Sequence, residues 1–504
     1  MTIDQAQQGA SNLATTGIPG LDDVLYGGLI PHRMFLLEGD PGAGKTTLAL
    51  QFLQAGVRKG EACLYVTLSE SEQELRASAS SHGWDLQGVH ILELISSEEN
   101  VRADTQYTMY HPSEVELAET TKAVMAEAAR IKPARLVFDS LSELRLLAGN
   151  PLLYRRQILA LKHHFSRQNC TLLLIDDRTG GERDMHLHSL AHGVILLERN
   201  TPDFGAMRRR LEVSKMRGRA FREGYHDYAI RRGGLEVFPR LVAADYEGSF
   251  VRESSSSGLP ALDTLLGGGL PRGTSTLVIG AAGTGKTSLA TRFAWAAAQR
   301  GEHASMFIFD ESPDTFRERS IGLGMDPEPM IKNGRMAIRR VDPAELSPGE
   351  FASAVRRTVD QDGSRVVVID SLNGYLNAMP SERYLTLHLH ELLSYLGNNG
   401  VVTILLLTHH GLVGSSTNVP VDASYLADTV IMLRYFETVG EVRQAISVIK
   451  KRTGNHERTI REMRLDNGIV IGEPIRDVQG VLTGMTQLLG DRYSGAGTPR
   501  SDGL

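Results

Sequence analysis

The sequence predicts two tandem α/β domains, each built on a mainly parallel β-sheet flanked by helices. The first observation is a repeat. GIPGLDDVLYGGLIPHRMFLLEG begins at Gly17 and aligns without a gap on GLPALDTLLGGGLPRGTSTLVIG, which begins at Gly258, 241 positions later. The second is the alternation of short, continuous apolar runs with helical stretches in both halves, which is typical of buried parallel strands. A chain of 504 residues has room for two domains of ordinary size.

Six apolar runs in each half are the predicted strands. In the first half they lie at 34–37, 63–68, 91–94, 135–139, 171–176 and 193–198. In the second half they lie at 276–279, 305–310, 337–341, 366–370, 402–408 and 429–436. Ligands of open parallel sheets bind at the carboxyl ends of the strands. We therefore expect the residues that follow these runs to form the functional sites.

Composition sets the predicted domain boundaries. We expect a disordered N-terminus at 1–12, a first domain at 13–245, a linker at 246–257, a second domain at 258–490 and a disordered tail at 491–504. A serine run interrupts the apolar periodicity in the linker, and the tail is rich in Gly, Ser, Pro and Arg.

The overall composition restricts the class of protein. A net charge of −6 gives no general reason to expect nucleic acid as a partner, although the segment 207–222 is locally basic. Only two cysteines occur, which argues against a disulfide framework and fits a reducing compartment. No apolar run reaches the length of a membrane span, and residues 1–12 lack the features of a signal peptide. We expect a soluble, cytoplasmic protein with no membrane association.

Two segments match the phosphate-binding pattern G-x-x-x-x-G-K-[ST], and each follows an apolar strand and precedes an apolar helix. In such loops backbone N–H groups surround the phosphates, the lysine reaches the β/γ-phosphates and the hydroxyl binds Mg²⁺. The predicted nucleotide-binding residues are Gly39, Gly42, Ala43, Gly44, Lys45, Thr46 and Thr47 in the first half, and Gly280, Gly283, Thr284, Gly285, Lys286, Thr287 and Ser288 in the second. ATP with Mg²⁺ is the predicted ligand.

A magnesium site of this type also needs a carboxylate at the end of another strand. RLVFDS places Asp139 at such a position, and VVVIDS places Asp370 at the equivalent one. The alternative is that both are helix N-caps. With a phosphate-binding loop in the same domain, we expect Asp139 with Thr46, and Asp370 with Thr287, to hold the metal.

Hydrolysis requires a group that orients or deprotonates the attacking water. Glu70 in YVTLSES and Glu311 in FIFDESP lie at strand tips and share the 241-residue offset of the two loops. The alternative is a surface carboxylate in a turn. The preceding residue differs between the halves, because Ser69 corresponds to Asp310, which is a further candidate for catalysis or for metal binding. Only the second half has the pair of carboxylates.

These motifs together resemble the KaiC-type ATPases in their two-domain form, over roughly residues 13–490. The resemblance rests on the doubled loops, the strand-tip carboxylates and two late basic motifs, SKMRG and IKKRTGNHERTIRE. It implies a RecA-like fold in each half, a homohexamer with ATP at the subunit interfaces, and KaiB-like or other signalling proteins as partners. It also implies a nucleotide contact at Ser81.

The basic motifs supply Lys215 and Arg217 in the first half, and Lys450 and Arg452 in the second. The resemblance implies that each pair reaches the nucleotide of the neighbouring subunit, where cations stabilise the charge of a transferring phosphoryl group. The alternative is a solvated basic strand end. A group that acts only between subunits predicts a catalytically incomplete monomer.

The resemblance also implies serine autophosphorylation in the second domain. In NVPVDASYLADT, Ser424 aligns with the family's phosphorylated serine, whereas Tyr425 replaces the adjacent threonine. The alternative for Ser424 is a turn or helix-capping serine. Leu323 aligns with a tryptophan that stacks on adenine in the family, which predicts a looser base contact.

The function that we expect is ATP hydrolysis in both domains, with Ser424 as the candidate phosphoacceptor, in clock-like or stress and signalling regulation. Two alternatives remain open: a DNA-dependent RecA-like recombinase or helicase, and a nucleotide-gated signalling scaffold without effective chemistry. The first domain is expected to hold the ring together through bound ATP. The second is expected to activate a hydroxyl acceptor as well as water.

Overall fold

The structure is a computed structural model that describes residues 13–94, 112–178, 185–202, 204–246, 248–377, 384–408, 425–482 and 487–488. The chain divides into two compact units, Met1–Arg240 (unit 1) and Leu241–Leu504 (unit 2). Among the described residues, no helix combines the length and the apolar character that a membrane span requires.

Nine strands among the described residues of unit 1 form one sheet. They are β1 (Met34–Gly39), β2 (Cys63–Thr67), β3 (Val89–Glu93), β4 (Arg135–Asp139), β5 (Thr171–Asp177), β6 (Gly193–Asn200), β7 (Arg208–Met216), β8 (Tyr225–Arg231) and β9 (Gly234–Phe238). Their order is β3-β2-β4-β5-β1-β6-β7-β8-β9. The first six are parallel, and β7 to β9 extend the sheet by antiparallel pairing.

Helices cover both faces of this sheet. They are α1 (Pro19–Val24), α2 (Lys45–Arg58), α3 (Glu72–Ser81), α4 (Pro112–Ile131), α5 (Leu141–Ala148), α6 (Pro151–Arg167) and α7 (Met185–Leu190). Successive side chains of a strand point to opposite faces. Phe35 and Leu37 of β1 therefore enter one apolar core, whereas Met34 and Leu36 enter the other. Burial on both faces explains why the central strands are continuously apolar.

Unit 2 repeats this topology. After the two-residue strands β10 (Ser254–Ser255) and β11 (Leu270–Pro271), its sheet comprises β12 (Ser275–Gly280), β13 (His303–Ile308), β14 (Met336–Arg340), β15 (Ser364–Asp370), β16 (Val402–Thr408), β17 (Thr429–Thr438), β18 (Glu441–Lys451), β19 (Ile460–Leu465) and β20 (Ile469–Pro474). The order is β14-β13-β15-β16-β12-β17-β18-β19-β20, and β21 (Val478–Gln479) pairs with β22 (Gln487–Leu488).

The helices of unit 2 are α8 (Pro260–Leu265), α9 (Lys286–Gln299), α10 (Pro313–Gly322), α11 (Glu328–Lys332), α12 (Pro348–Asp360), α13 (Leu372–Asn377) and α14 (Leu385–Asn398). The predicted fold class is confirmed: both units are α/β, with a mainly parallel nine-stranded sheet flanked by helices. Each predicted apolar run overlaps a strand, and the boundaries differ by at most two residues. The apolar runs did not predict the antiparallel strands that complete each sheet, β7 to β9 in unit 1 and β18 to β20 in unit 2.

The segment before the second repeat belongs to unit 2 and packs against the rest of that unit. The Ala243 amide donates to Glu391 Oε2 at 2.8 Å, and Asn398 Nδ2 donates to the Tyr246 carbonyl at 3.0 Å. Arg272 forms an ion pair with Glu253 at 2.9 Å. The linker boundaries proposed from composition, 246–257, remain a prediction.

Candidate functional site

The first phosphate-binding loop lies between β1 and α2. Gly44 is the N-cap of α2, and its φ of +98° belongs to the left-handed region that glycine adopts without strain. Lys45 is buried and donates from Nζ to the carbonyls of Gly39, at 2.8 Å, and Asp40, at 3.0 Å. The same Nζ forms an ion pair with Asp177 Oδ1 at 2.6 Å.

The second loop has the same geometry between β12 and α9. Gly285 is the N-cap with φ of +88°, and Lys286 Nζ donates to the carbonyls of Gly280, at 3.0 Å, and Ala281, at 2.8 Å. Burial lowers the pKa of Lys286, and nearby Asp370 counteracts this effect. In both units the lysine occupies the bend where N-terminal amides of a helix can receive an anion.

A carboxylate and a hydroxyl meet beside each loop. Thr287 Oγ1 donates to Asp370 Oδ2 at 2.6 Å, and Thr46 Oγ1 lies 3.4 Å from Asp139 Oδ2. Tyr65 in β2 donates its hydroxyl to Asp139 Oδ2 at 2.5 Å. Each aspartate is less than 9 % exposed, and burial raises the pKa of both carboxyl groups.

These oxygen atoms fit Mg²⁺, which prefers carboxylate and hydroxyl ligands and completes its octahedron with water and phosphate oxygens. Among the described residues, no group of three or more His, Cys, Asp and Glu side chains is arranged to hold a metal alone. A two-ligand arrangement is what a nucleotide-dependent Mg²⁺ site requires, because the phosphates supply further ligands.

Glu70 follows β2 at the carboxyl end of the sheet. The Thr67 hydroxyl fixes the turn, because it accepts from the Glu70 amide at 3.0 Å and donates to the Glu70 carbonyl at 2.7 Å. Partial burial raises the pKa of the Glu70 carboxyl, and the charges of Asp139 and Glu74 raise it further. A carboxylate that binds protons more tightly than usual is suited to accept one from water.

The corresponding turn of unit 2 is organised differently. Glu311 forms a two-pronged ion pair with Arg319 of α10, at 2.7 Å to Nη2 and 3.2 Å to Nε. Arg319 Nη1 also donates to Ser288 Oγ at 3.3 Å, which connects the pair to the phosphate-binding loop. Asp310 accepts from the Ser371 hydroxyl at 2.6 Å. The two acidic side chains thus have different partners.

The basic motif of unit 1 lies at the opposite end of the sheet from the loop. Lys215 pairs with Val194 near the start of β6, and the Arg217 amide donates to the His192 carbonyl at 2.9 Å. Toward the other end of the same strand, Leu197 pairs with Gly39, the first residue of the phosphate-binding loop. Positions 192 and 197 are five residue steps apart, roughly 16 Å at about 3.3 Å per step.

The side chains of this motif are held by carbonyls of α7 and of the residue that follows it. Lys215 Nζ donates to the Ala191 carbonyl at 2.9 Å, and Arg217 Nη2 donates to the Ser189 carbonyl at 2.8 Å. Burial lowers the pKa of Lys215, and the neighbouring cations Arg217 and Lys162 lower it further.

Unit 2 repeats this placement. Lys450 pairs with Val430 near the start of β17, and its Nζ donates to the Ala427 carbonyl at 2.9 Å. Arg452 Nη2 donates to the carbonyl of Tyr425 at 3.0 Å, and its Nη1 lies 3.3 Å from Asp428 Oδ1. In each unit, therefore, the Lys-x-Arg motif lies at one end of the sheet and the phosphate-binding loop at the other.

Comparison with known proteins gives the family. A family model described as "ATPase: KaiC" matches residues 14–242 and 255–475. The chain belongs to the KaiC ATPase family. The chain is 27% identical over 492 residues to the circadian clock protein KaiC3 of Synechocystis sp., with 96% of each chain covered. It is 26% identical over 480 residues to the circadian clock oscillator protein KaiC of Parathermosynechococcus lividus, covering 93% of this chain and 87% of the relative.

The family membership confirms the resemblance inferred from the motifs and makes this chain an ATPase with two tandem KaiC domains. Like the Lys-x-Arg motifs, the predicted site residue Ser81 is not brought together with the loop of its own unit. Ser81 ends α3, is exposed, and donates only locally, to the Ser78 carbonyl at 2.7 Å, among its described hydrogen bonds. Ser424 lies outside the described residues.

Sequence reasoning missed several partners of this KaiC-family site. They are Tyr65 against Asp139, Arg319 against Glu311, Asp177 against Lys45, and His188 against Glu38. Asp177 had a detectable signal, because TLLLIDD ends in carboxylates where the aligned VTILLLT ends in a hydroxyl. The other partners depend on which strands and helices become neighbours, which neither the repeat nor the loop motif specifies.

Proposed function

We propose that this KaiC-family ATPase binds Mg²⁺ and ATP at both phosphate-binding loops, hydrolyses ATP in both units, and works as a homohexamer. The observation that carries the proposal is the separation of the loop from the Lys-x-Arg motif at opposite ends of each sheet. A chain built this way offers a phosphate cradle on one side and phosphate-neutralising cations on the other. Head-to-tail contacts that close into a ring would bring the phosphate cradle of each subunit against the cations of its neighbour.

In the proposed mechanism the loop lysine binds the terminal phosphates, and the paired hydroxyl and aspartate hold Mg²⁺. Bound Mg²⁺ would neutralise phosphate charge and align the nucleotide for in-line displacement. In unit 1, Tyr65 fixes the carboxylate of Asp139. Glu70 accepts the proton of the attacking water, for which its raised pKa is suited.

At the opposite side of the same nucleotide, Lys215 and Arg217 of the neighbouring subunit stabilise the charge that develops during phosphoryl transfer. Lys450 and Arg452 do the same for unit 2. An arginine in this role gives planar hydrogen bonding to phosphate oxygens, which lysine alone does not. The carbonyl contacts that hold these side chains support their being positioned rather than freely solvated.

Unit 2 has the additional carboxylate Asp310, and we propose that it serves a hydroxyl acceptor as well as water. Ser424 is the proposed acceptor, which makes the chain a serine autokinase. Incubation with Mg²⁺ and ATP followed by phosphosite mapping by mass spectrometry tests this part. Phosphate at Ser424 is expected, and its absence rejects the autokinase while leaving the ATPase proposal standing.

The trans arrangement is tested by mixing two inactive chains. One chain carries Glu70→Gln, Asp310→Asn and Glu311→Gln, and the other carries Ala at positions 215, 217, 450 and 452. Each alone should lose most turnover. In random 1:1 rings, about a quarter of the interfaces combine intact carboxylates with intact cations, so turnover should reappear at roughly that fraction.

Size determination on the same samples shows whether hexamers persist. Failure of the mixture to regain turnover, with both chains in mixed rings, contradicts the trans site. Turnover is also measured with and without single-stranded DNA. Stimulation by DNA would favour a recombinase or helicase, and negligible turnover with intact nucleotide binding would favour a scaffold.

The biological role that we propose is clock-like, stress or signalling regulation, in which ring conformation is communicated to KaiB-like or other signalling proteins. The support is the membership in the KaiC family and the similarity to proteins named as circadian clock proteins. The two nucleotide sites in one chain provide a physical basis, because occupancy of one site can bias the conformation of the ring.

A further inference from the structure

The loop lysine of unit 1 has a carboxylate partner. Lys45 Nζ lies 2.6 Å from Asp177 Oδ1, with 8% of the lysine and 30% of the aspartate side chain exposed. The sheet register places the two groups together, because Asp177 of β5 pairs with Gly39 at the start of the loop. The Ser142 hydroxyl accepts from the Asp177 amide at 3.2 Å and fixes the strand end.

Unit 2 provides a natural comparison. The residue that pairs with Gly280, the counterpart of Gly39, is Thr408. Among the described residues, Lys286 forms no ion pair, and its Nζ is held by the carbonyls of Gly280 and Ala281 alone. The loop lysine therefore reaches the same buried position without a carboxylate. It follows that the Lys45–Asp177 pair is not needed to fold a loop of this kind.

The carboxylate and a nucleotide require the same ammonium group. Lysine in this motif reaches the β/γ-phosphates, so phosphate oxygens must replace or share the contact that Asp177 makes. A carboxylate that remains nearby repels the phosphates, and the repulsion is stronger beside a buried ammonium group than between two fully solvated charges. The repulsion grows with the charge of the phosphate chain, which is greater for a triphosphate than for a diphosphate.

We propose that Asp177 is a specificity-determining residue of the unit 1 nucleotide site: it competes with the terminal phosphates for Lys45 and lowers the preference for triphosphate over diphosphate. This inference rests on the proposed function, since it assumes nucleotide binding at the loop. It makes the two sites of the chain unequal in a defined sense. Unit 2 retains the stronger preference for the triphosphate. When both nucleotides are present, a larger share of the unit 1 sites than of the unit 2 sites holds the diphosphate.

The test measures nucleotide affinity in the full chain with Lys286→Ala, so that only unit 1 binds. The Kd values of ADP and of a non-hydrolysable ATP analogue are determined by calorimetry in the presence of Mg²⁺, with and without Asp177→Asn. The asparagine keeps the shape and removes the charge. We expect the analogue to bind on the order of tenfold more tightly and ADP to change less, so that the ratio of the two Kd values shifts.

The mirror variant is Thr408→Asp in the chain with Lys45→Ala, which should weaken analogue binding at unit 2 and shift the ratio in the opposite direction. Unchanged or weaker analogue binding in Asp177→Asn, with the thermal midpoint unaltered, would overturn the inference and make Asp177 a positioning group for Lys45. Absence of binding at unit 1 before Asp177 is changed would instead count against the proposed function.

Discussion

The two units share one topology but distribute their charged groups differently. In unit 1, Glu38 and Asp176 lie side by side on β1 and β5, both buried. The equivalent pair in unit 2 is Ile279 and Leu407. Unit 2 instead has its charged groups after β13, where Glu311 pairs with Arg319 and the adjacent Asp310 accepts from Ser371. The topology that the two units share thus accommodates either a charged or an apolar strand end beside the loop.

The buried acids of unit 1 have defined partners. His188 Nε2 lies 2.9 Å and 2.8 Å from the two carboxylate oxygens of Glu38. Arg145 lies 2.5 Å from Asp176, which also accepts from the Ser142 hydroxyl at 3.0 Å. Burial raises the pKa of Glu38 and of Asp176, and their partners counteract it. The difference between the units therefore indicates different proton and charge chemistry on one fold.

The first prediction compares the water-activating carboxylates and has the largest expected effect. Glu70→Gln, measured in chains with Lys286→Ala, should reduce ATP turnover by about 100-fold or more, because a general base contributes about 10²–10⁴. Glu311→Gln, measured in chains with Glu70→Gln, should reduce it by only about tenfold, because Arg319 already neutralises Glu311 and Asp310 remains. Single-turnover rates separate chemistry from product release.

Binding of a non-hydrolysable ATP analogue is the control for both variants, since neither should lose its nucleotide. Equal losses in the two units would mean that the Arg319 ion pair breaks when nucleotide binds. The difference between the units would then belong only to the nucleotide-free state.

The second prediction concerns pH. The proposed roles of Glu70 and Asp139 require the ionised carboxylate, and burial raises the pKa of both groups. The rate of unit 1 should therefore be at its maximum above these pKa values and should fall as the pH falls through them. The decline should begin at a higher pH than about 4.3, the ordinary value for a glutamate. In unit 2 the corresponding carboxyl group with a raised pKa is Asp370, the counterpart of Asp139. With one such group instead of two, the rate of unit 2 should fall less steeply as the pH falls.

The pH dependence of kcat/KM is measured for unit 1 in chains with Lys286→Ala and for unit 2 in chains with Glu70→Gln. Glu70→Gln in the Lys286→Ala chain should leave residual turnover with a single acid limb. A unit 1 profile that stays flat to pH values below 4 contradicts the assigned role of Glu70.

Whether a feature of the site could be predicted from the sequence depends on how far apart its residues lie along the chain. The loops around Lys45 and Lys286 were recognisable because their glycines and lysine lie within eight residues. Asp139 and Asp370 were recognisable because each ends an apolar strand. The ion pair of Arg319 with Glu311 could not be predicted from the sequence. Arg319 is not the only cationic side chain of α10, and only the packing of that helix decides which of them faces Glu311.

Strand order sets a second limit. The contact of Asp177 with Lys45, and the position of Glu38 beside Asp176, depend on β5 lying next to β1, although 130 or more residues separate the paired positions along the chain. Periodicity predicts that a strand is buried, but it does not identify its neighbour. The same limit applies to the Lys-x-Arg motifs, whose position opposite the loops follows from the antiparallel pairing of β7 and β18.

The third prediction is the smallest and concerns the stability of unit 1. Because burial raises the folded-state pKa of Glu38, the folded form binds a proton more readily than the unfolded chain. The stability linked to this proton is present below the unfolded value of about 4.3 and is lost as pH rises through the folded value. Above the folded-state pKa the ionised Glu38 is therefore a net cost to stability, which its contact with His188 reduces.

Glu38→Gln removes the charge but keeps the shape and a hydrogen-bonding oxygen for His188. Unit 1 should be as stable as before, or more stable by up to about 1 kcal/mol, at neutral pH, and should lose part of its pH dependence. Glu38→Ala should instead destabilise by about 1–3 kcal/mol, because it removes the hydrogen-bond partner of the partly buried His188. Hydrogen exchange of the β1 and β5 amides reports on unit 1 separately, and Ile279→Gln in β12 is the matched change in unit 2. That variant buries an amide among apolar side chains and should be destabilising, so similar costs for Glu38→Gln and Ile279→Gln would show that the charged end of unit 1 carries no electrostatic penalty of its own.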